Sequence, residues 1–283
     1  MSPFAMRLVI AGFLAIWLVP APASAVSQFK KGSFTKVSAV GPQSVAGVGF
    51  QPRAVIFFWT RQTAADTFNP EIQTGYGFAT GPANERAVSI TSQDGVFGGN
   101  TGKGQWQSSS IVLFNAANPT VGAQAELTSL NGDGFTLNWT VNEARADIIH
   151  YVALGGSDIT NAKVDHFVKT TGTGNLPVTG VGFQPDFVML LAAHTTGLDF
   201  GTTEAQVAIG FASGPTERGS FGSQLEDGDG FARGTCKWQR ADRVLLEMND
   251  TCAAATEFDF VSFDADGFTV NRILNNNDTR LVH

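Results

Sequence analysis

Charge is scarce in this chain. Only 15% of its 283 residues are Asp, Glu, Lys or Arg, where an ordinary soluble domain carries about 25%. A disordered segment, a coiled coil or a solvated helical array needs dense charge, so these classes are excluded. Basic residues are the minority, 18 Lys plus Arg against 25 Asp plus Glu, for a net charge of −7. Nucleic acid is therefore not an expected partner, because phosphate binding needs clustered Lys and Arg. There are only two cysteines and four histidines, and none has the spacing of a zinc site. The Gly-x-Ser-x-Gly elbow of a serine hydrolase is missing too. No metal or cofactor is expected.

Long apolar runs are also missing, with one exception. Leu8 to Val19 is uncharged and apolar, follows the lone cation Arg7, and is broken by Pro20 and Pro22. Its 12 residues rise about 18 Å as a helix, too little for a hydrocarbon core of about 30 Å. Ala23-Ser24-Ala25 fits the small-x-small rule for cleavage. Residues 1–25 therefore read as a signal peptide. The expected mature chain is secreted or periplasmic, with no membrane span after the signal is removed. Export permits a disulfide, and Cys236 and Cys252 are expected to form one; two buried free thiols are the alternative.

What is abundant is Gly (32 residues) and Phe (23 residues), and both fall into a long repeat. Val45-Ala-Gly-Val-Gly-Phe-Gln-Pro52 matches Val178-Thr-Gly-Val-Gly-Phe-Gln-Pro185 at an offset of 133. Phe34-Thr-Lys36 with Phe167-Val-Lys169, Gly77–Pro82 with Gly210–Pro215, and Asp133–Asn138 with Asp266–Asn271 hold the same offset. Trp106-Gln107 and Trp238-Gln239 match at 132. Such a period is too long for a solenoid unit and suits one domain per copy. The copies are expected at 27–160 and 161–283.

The hydrophobic pattern within each copy is that of strands. Ala54–Trp59 and Phe187–Leu191 are short apolar runs, as for strands covered on both faces. Phe135–Trp139 and Phe268–Arg272 alternate apolar and polar, each after an Asx-Gly turn. Arg240–Arg243, between Trp238 and Val244–Leu246, reads as a hairpin turn. The expected fold is all-β: two tandem antiparallel β-sandwiches of jelly-roll type. The first copy ends with a strand through Asp147–Leu154, of which the second retains only Leu281–His283. The slot left by the rest would be filled by Ser27–Lys31 or by a neighbouring subunit, giving a homo-oligomer through the edge of the second copy. A shorter sheet with a covered edge is the alternative.

The blocks Val48–Val55, Val181–Val188, Asp133–Leu137 and Asp266–Val270 resemble a repeat in bacterial and bacteriophage surface or tail-associated proteins with concanavalin A-like or jelly-roll sandwiches. The resemblance implies an attachment or lectin-like role and supplies no catalytic residue.

Candidate contact residues follow from recurrence. Glu85-Arg86 and Glu217-Arg218 each follow a Gly-Pro turn, and a carboxylate beside a guanidinium can bond sugar hydroxyls. A solvated turn with a weak ion pair is the plainer reading. Trp106 and Trp238 can stack on a sugar ring or fill a core. Asp133, Asp227, Asp229, Asp264 and Asp266 are explained by turn chemistry without calcium. Glu257 and Asp259 have the strand spacing of a carboxylate pair. The expected function is a non-catalytic binding or structural module, with glycan or another surface polymer as partner. A polysaccharide hydrolase or lyase using Glu257 and Asp259 is one alternative, and self-assembly by strand exchange is another.

Overall fold

The computed structural model describes residues 26–94, 96, 100–115, 119–225, 235–276 and 279–283. The leader at 1–25 and the turn bearing Asp227 and Asp229 lie outside them. The first half contributes β1 (Ser27–Thr35), β2 (Gly41–Ala46), β3 (Pro52–Trp59), β4 (Ile72–Gly81), β5 (Asn84–Ser92), β6 (Thr101–Trp106), β7 (Ile111–Phe114), β8 (Val121–Asn131), β9 (Gly134–Val141) and β10 (Ile148–Gly156). The second contributes β11 (Phe167–Val168), β12 (Gly174–Val178), β13 (Val188–Ala192), β14 (Phe200–Thr203), β15 (Ala205–Ala212), β16 (Arg218–Leu225), β17 (Cys236–Arg240), β18 (Leu245–Met248), β19 (Ala254–Asp264), β20 (Gly267–Asn275) and β21 (Leu281–Val282). The fold is all-β, and every strand pairing is antiparallel.

Each half is a sandwich. In the first, the order β1-β10-β3-β4-β5-β6-β14 faces the order β2-β9-β8-β7. In the second, β13-β15-β16-β17 faces β12-β20-β19-β18, with the short pair β11-β21 beside them. Alternation decides which face goes inward. On β3, Val55, Phe57 and Trp59 are buried while Ile56 and Phe58 are half-buried. On β9, Phe135, Leu137 and Trp139 face the same core. Phe135 meets Phe57 at 5.4 Å and Tyr151 at 5.2 Å between ring centroids, both edge to face, the favoured aromatic geometry.

The Gly-Val-Gly blocks have a structural task. Gly47 and Gly49 sit at φ of 84° and 87°, a region open to Gly without steric cost. That conformation turns both amides toward Asp133 in the β8–β9 hairpin, 3.0 Å to Oδ2 and 2.5 Å to Oδ1. Gly180 and Gly182 hold Asp266 in the same way at 2.9 and 2.5 Å. The Gln of each Gly-Phe-Gln-Pro block bonds a carbonyl of the same hairpin: Gln51 to Leu130 at 2.9 Å and Gln184 to Phe263 at 3.0 Å. Backbone amides keep both carboxyls below the usual aspartate range.

The halves are not beads on a string. β14, from the second half, extends the first half's sheet by pairing with β6. Val88 and Ile90 of β5 pack with Leu191, Ala193, Val207 and Ile209 in a buried cluster between the halves. Lys103 Nζ donates to Gln206 Oε1 at 2.7 Å across this junction, and burial lowers the Lys103 pKa to about 8.

Three expectations are corrected. β17 and β18 do not form a hairpin: β17 pairs with β16 and β18 with β19, in opposite sheets. Residues 241–244 cross the sandwich, held by Arg240 and Arg243 on Glu257 of β19. The segment Ser27–Lys31 does not reach the second half, because the whole of β1 pairs with β10. Phe187 is not buried on both faces but 58% exposed, since no strand lies on that side of it among the described residues.

Candidate functional site

The structure separates residues that the repeat had aligned. Glu85 is 2% exposed and lies on β5, not in a loop. Its Oε2 accepts from the Leu127 amide at 2.7 Å, and burial raises its pKa from 4.5 to about 7. Arg86 is also buried, donating to the Gln107 carbonyl at 3.0 Å and to Asp165 at 2.8 Å. Neither is placed to touch a polymer. Glu217 is exposed, accepting from Ser213 Oγ at 2.8 Å, and Arg218 pairs with Asp259 at 2.5 Å.

Strand register explains the mismatch. Ala79 stands opposite Glu85, and Ala212, which lies 133 residues on, stands opposite Arg218. Arg218, not Glu217, therefore occupies the position of Glu85. The recurring Glu-Arg is one residue out of register, and one residue reverses the face. The tryptophans are displaced as well. Trp106 is opposite Ala87, whereas Trp238 is opposite Gly222, two residues beyond the corresponding partner Ser220. Ser220 faces Arg240 instead.

The Trp pair therefore divides between core and surface. Trp106 is 2% exposed, edge to face with Phe114 at 5.3 Å, and its strand is covered on its outer side by β14. Trp238 is 42% exposed. Its strand, β17, is an edge, paired only with β16 among the described residues. Arg240 shares its face of the strand and lies 5.9 Å from the indole ring. Asp242 accepts from Arg240 Nε at 2.8 Å, and that bond, first among several causes, holds its carboxyl down to about 2. Lys237 and Gln239 are exposed on the same strand. Cys236 and Cys252 are bonded, with Cα atoms 5.9 Å apart, tying the start of β17 to the turn after β18. The result is a flat aromatic ring flanked by fixed donors and a fixed anion.

The carboxylate pair on β19 is occupied. Glu257 accepts from Arg240 at 3.1 Å and from Arg243 at 3.0 Å, and Asp259 is held by Arg218. Both carboxylates are thus engaged by guanidinium groups of the chain itself. Asp264 is bound to Ser262 and Thr269 and Asp266 to the glycine amides, as turn chemistry requires.

A second feature, which sequence reasoning missed, is a cavity of about 680 Å³ at the junction of the halves. Ile56, Phe78 and Leu154 of the first half form one wall, and Leu176, Phe183 and Phe268 of the second form another. One end is polar: Asp165 and His166 meet His283, whose ring is 6.0 Å from that of His166. Burial pushes the His283 imidazole down to about 3, helped by Arg86. The lining comes from segments more than 100 residues apart in the sequence, so only coordinates bring it together.

No protein-family model matches the chain, and neither a curated protein nor a solved structure does. No helix among the described residues is long and apolar enough to cross a membrane.

Proposed function

We propose that the protein is an exported, non-catalytic module that attaches to an extracellular polysaccharide through the open edge of its second half. One observation carries the reading: of the two recurring tryptophans, Trp238 alone is presented at a surface, beside Arg240 and Asp242. An indole face takes the apolar face of a sugar ring, while a guanidinium and a carboxylate bond its hydroxyls. The resemblance to surface-attachment repeats and the leader-like residues 1–25 support the same reading. So does the cysteine pair, since disulfides persist in oxidising compartments. The hydrolase alternative is less well supported, because Glu257 and Asp259 are both committed to arginines.

Cosedimentation with a panel of bacterial and plant polysaccharides tests this. The wild type is expected to bind at least one of them. Trp238→Ala is expected to weaken that binding at least tenfold while lowering the melting temperature by no more than about 4 °C. Binding indifferent to Trp238→Ala would sink the assignment. Release of reducing sugar that Glu257→Gln abolishes would replace it with the enzyme reading.

A further inference from the structure

We propose that Lys169 and Asn276 are the two ends of an internal amide cross-link, formed with loss of ammonia and assisted by Glu247. The proposal is independent of the Trp238 edge. It starts from the repeated blocks Phe34-Thr-Lys36 and Phe167-Val-Lys169, whose lysines take no part in polymer attachment. Lysine is almost never fully buried unless paired, yet Lys36 is 2% exposed and Lys169 0%. Both amines meet a carboxamide. Lys36 Nζ donates to Asn142 Oδ1, and Lys169 Nζ donates to Asn276 Oδ1 at 3.2 Å. Asn142 follows β9 and Asn276 follows β20, the matching hairpin strands.

The second half adds an acid. Glu247 of β18 is buried, with Oε2 2.9 Å from Lys169 Nζ. Among the described residues no carboxylate pairs with Lys36: Phe114 stands 133 residues before Glu247, and Glu143 and Asp147 are held by Arg61 and Arg145. Thr256, also buried, accepts from Lys169 Nζ and helps to fix the amine. The two segments are fastened beside the contact. The Lys169 amide donates to the Arg280 carbonyl at 2.9 Å, and Asn275 Nδ2 donates to the Thr170 carbonyl at 2.7 Å. Holding an amine against a carboxamide in this way makes their reaction effectively unimolecular.

At rest the acid and amine form an ion pair. Burial opposes the charge on Glu247, but Lys169 and His194 hold its carboxyl below the usual glutamate range. An ammonium has no lone pair, so the reaction begins when Glu247 takes one proton from Lys169 Nζ. The freed lone pair bonds to Asn276 Cγ. Glu247 then gives its proton to Nδ2 and takes the second proton from Nζ, and the Cγ–Nδ2 bond breaks. Nδ2 leaves as ammonia, toward solvent because Asn276 is exposed. An amine and a carboxamide thus become a secondary amide and ammonia, Glu247 ends protonated, and no oxidant is consumed. The new bond ties the chain just after β11 to the chain just after β20.

The test weighs the whole protein by mass spectrometry, with its disulfide reduced and its N-terminal residue determined. The wild type is expected to be lighter than its sequence by the mass of one ammonia. A proteolytic digest is expected to contain a branched peptide joining Lys169 to position 276. Glu247→Gln and Asn276→Ala are each expected to have the full sequence mass. Asn276→Ala alters an exposed residue and leaves the Lys169–Glu247 pair in place, so it reports even if Glu247→Gln does not fold. A wild type with the full sequence mass overturns the proposal. Loss of ammonia that persists in Asn276→Ala, or a digest without the branch at Lys169, overturns it equally.

Discussion

Glu85 is a buried carboxyl whose protonation is coupled to folding. A buried carboxyl favours its neutral form. Its contribution to stability is therefore greatest below the ordinary value of 4.5 and falls as pH rises to about 7. At about 1.36 kcal/mol per pH unit, the loss is about 3 kcal/mol. Glu85→Gln keeps an oxygen for the Leu127 amide and removes the charge. Urea titrations between pH 4.5 and 7 are expected to show a flatter profile in Glu85→Gln than in the wild type. The clamping aspartates behave oppositely. Glycine amides hold Asp133 and Asp266 below the usual value of 3.8, so their stabilisation is present above that value and is lost as pH falls through the folded-state pKa. Asp133→Ala and Asp266→Ala are each expected to lower the melting temperature, measured by circular dichroism near neutral pH. The two tryptophans are also expected to part company. Trp106→Ala should cost about 3–5 kcal/mol, as a fully buried aromatic does, and Trp238→Ala about 1 kcal/mol or less.

Among the described residues β17 has one strand neighbour, β16, and is followed by the crossing turn. Its disulfide closes a loop with a sequence separation of 16, which constrains the unfolded chain by about 3 kcal/mol in the loop-entropy account. Cys236→Ser with Cys252→Ser is expected to lower the urea midpoint accordingly and to weaken polysaccharide binding, because Trp238 is two residues from the tether. Strand existence was largely legible in the sequence. The alternation of Phe135–Trp139 and the Asx-Gly turns at Asp133 and Asp266 mark strands and hairpins that the structure contains. Register was not legible. The sequence offset of 132 that aligned Glu85 with Glu217 and Trp106 with Trp238 ignores the irregularity between Ala79 and Gly81 and the change in length before β17. A shift of one or two residues decides whether a side chain meets the core, a partner or solvent. Burial of Glu85 and Arg86 was unreadable for the same reason: it depends on Leu127 and Asp165, 42 and 79 residues away.

Across the whole molecule, a repeated architecture is joined through parts that do not repeat. The clamp of glycine amides on aspartate recurs with nearly identical distances in both halves. The junction has no such symmetry: β14 crosses into the first half's sheet, and Val88, Ile90, Val207 and Ile209 are buried between the halves. Neither half keeps its burial without the other, so the chain is expected to unfold as one body. Differential scanning calorimetry at neutral pH tests this most directly. A single transition whose calorimetric and van't Hoff enthalpies agree is the expected result. Two resolved transitions, each carrying about half the enthalpy, would contradict the account of the junction.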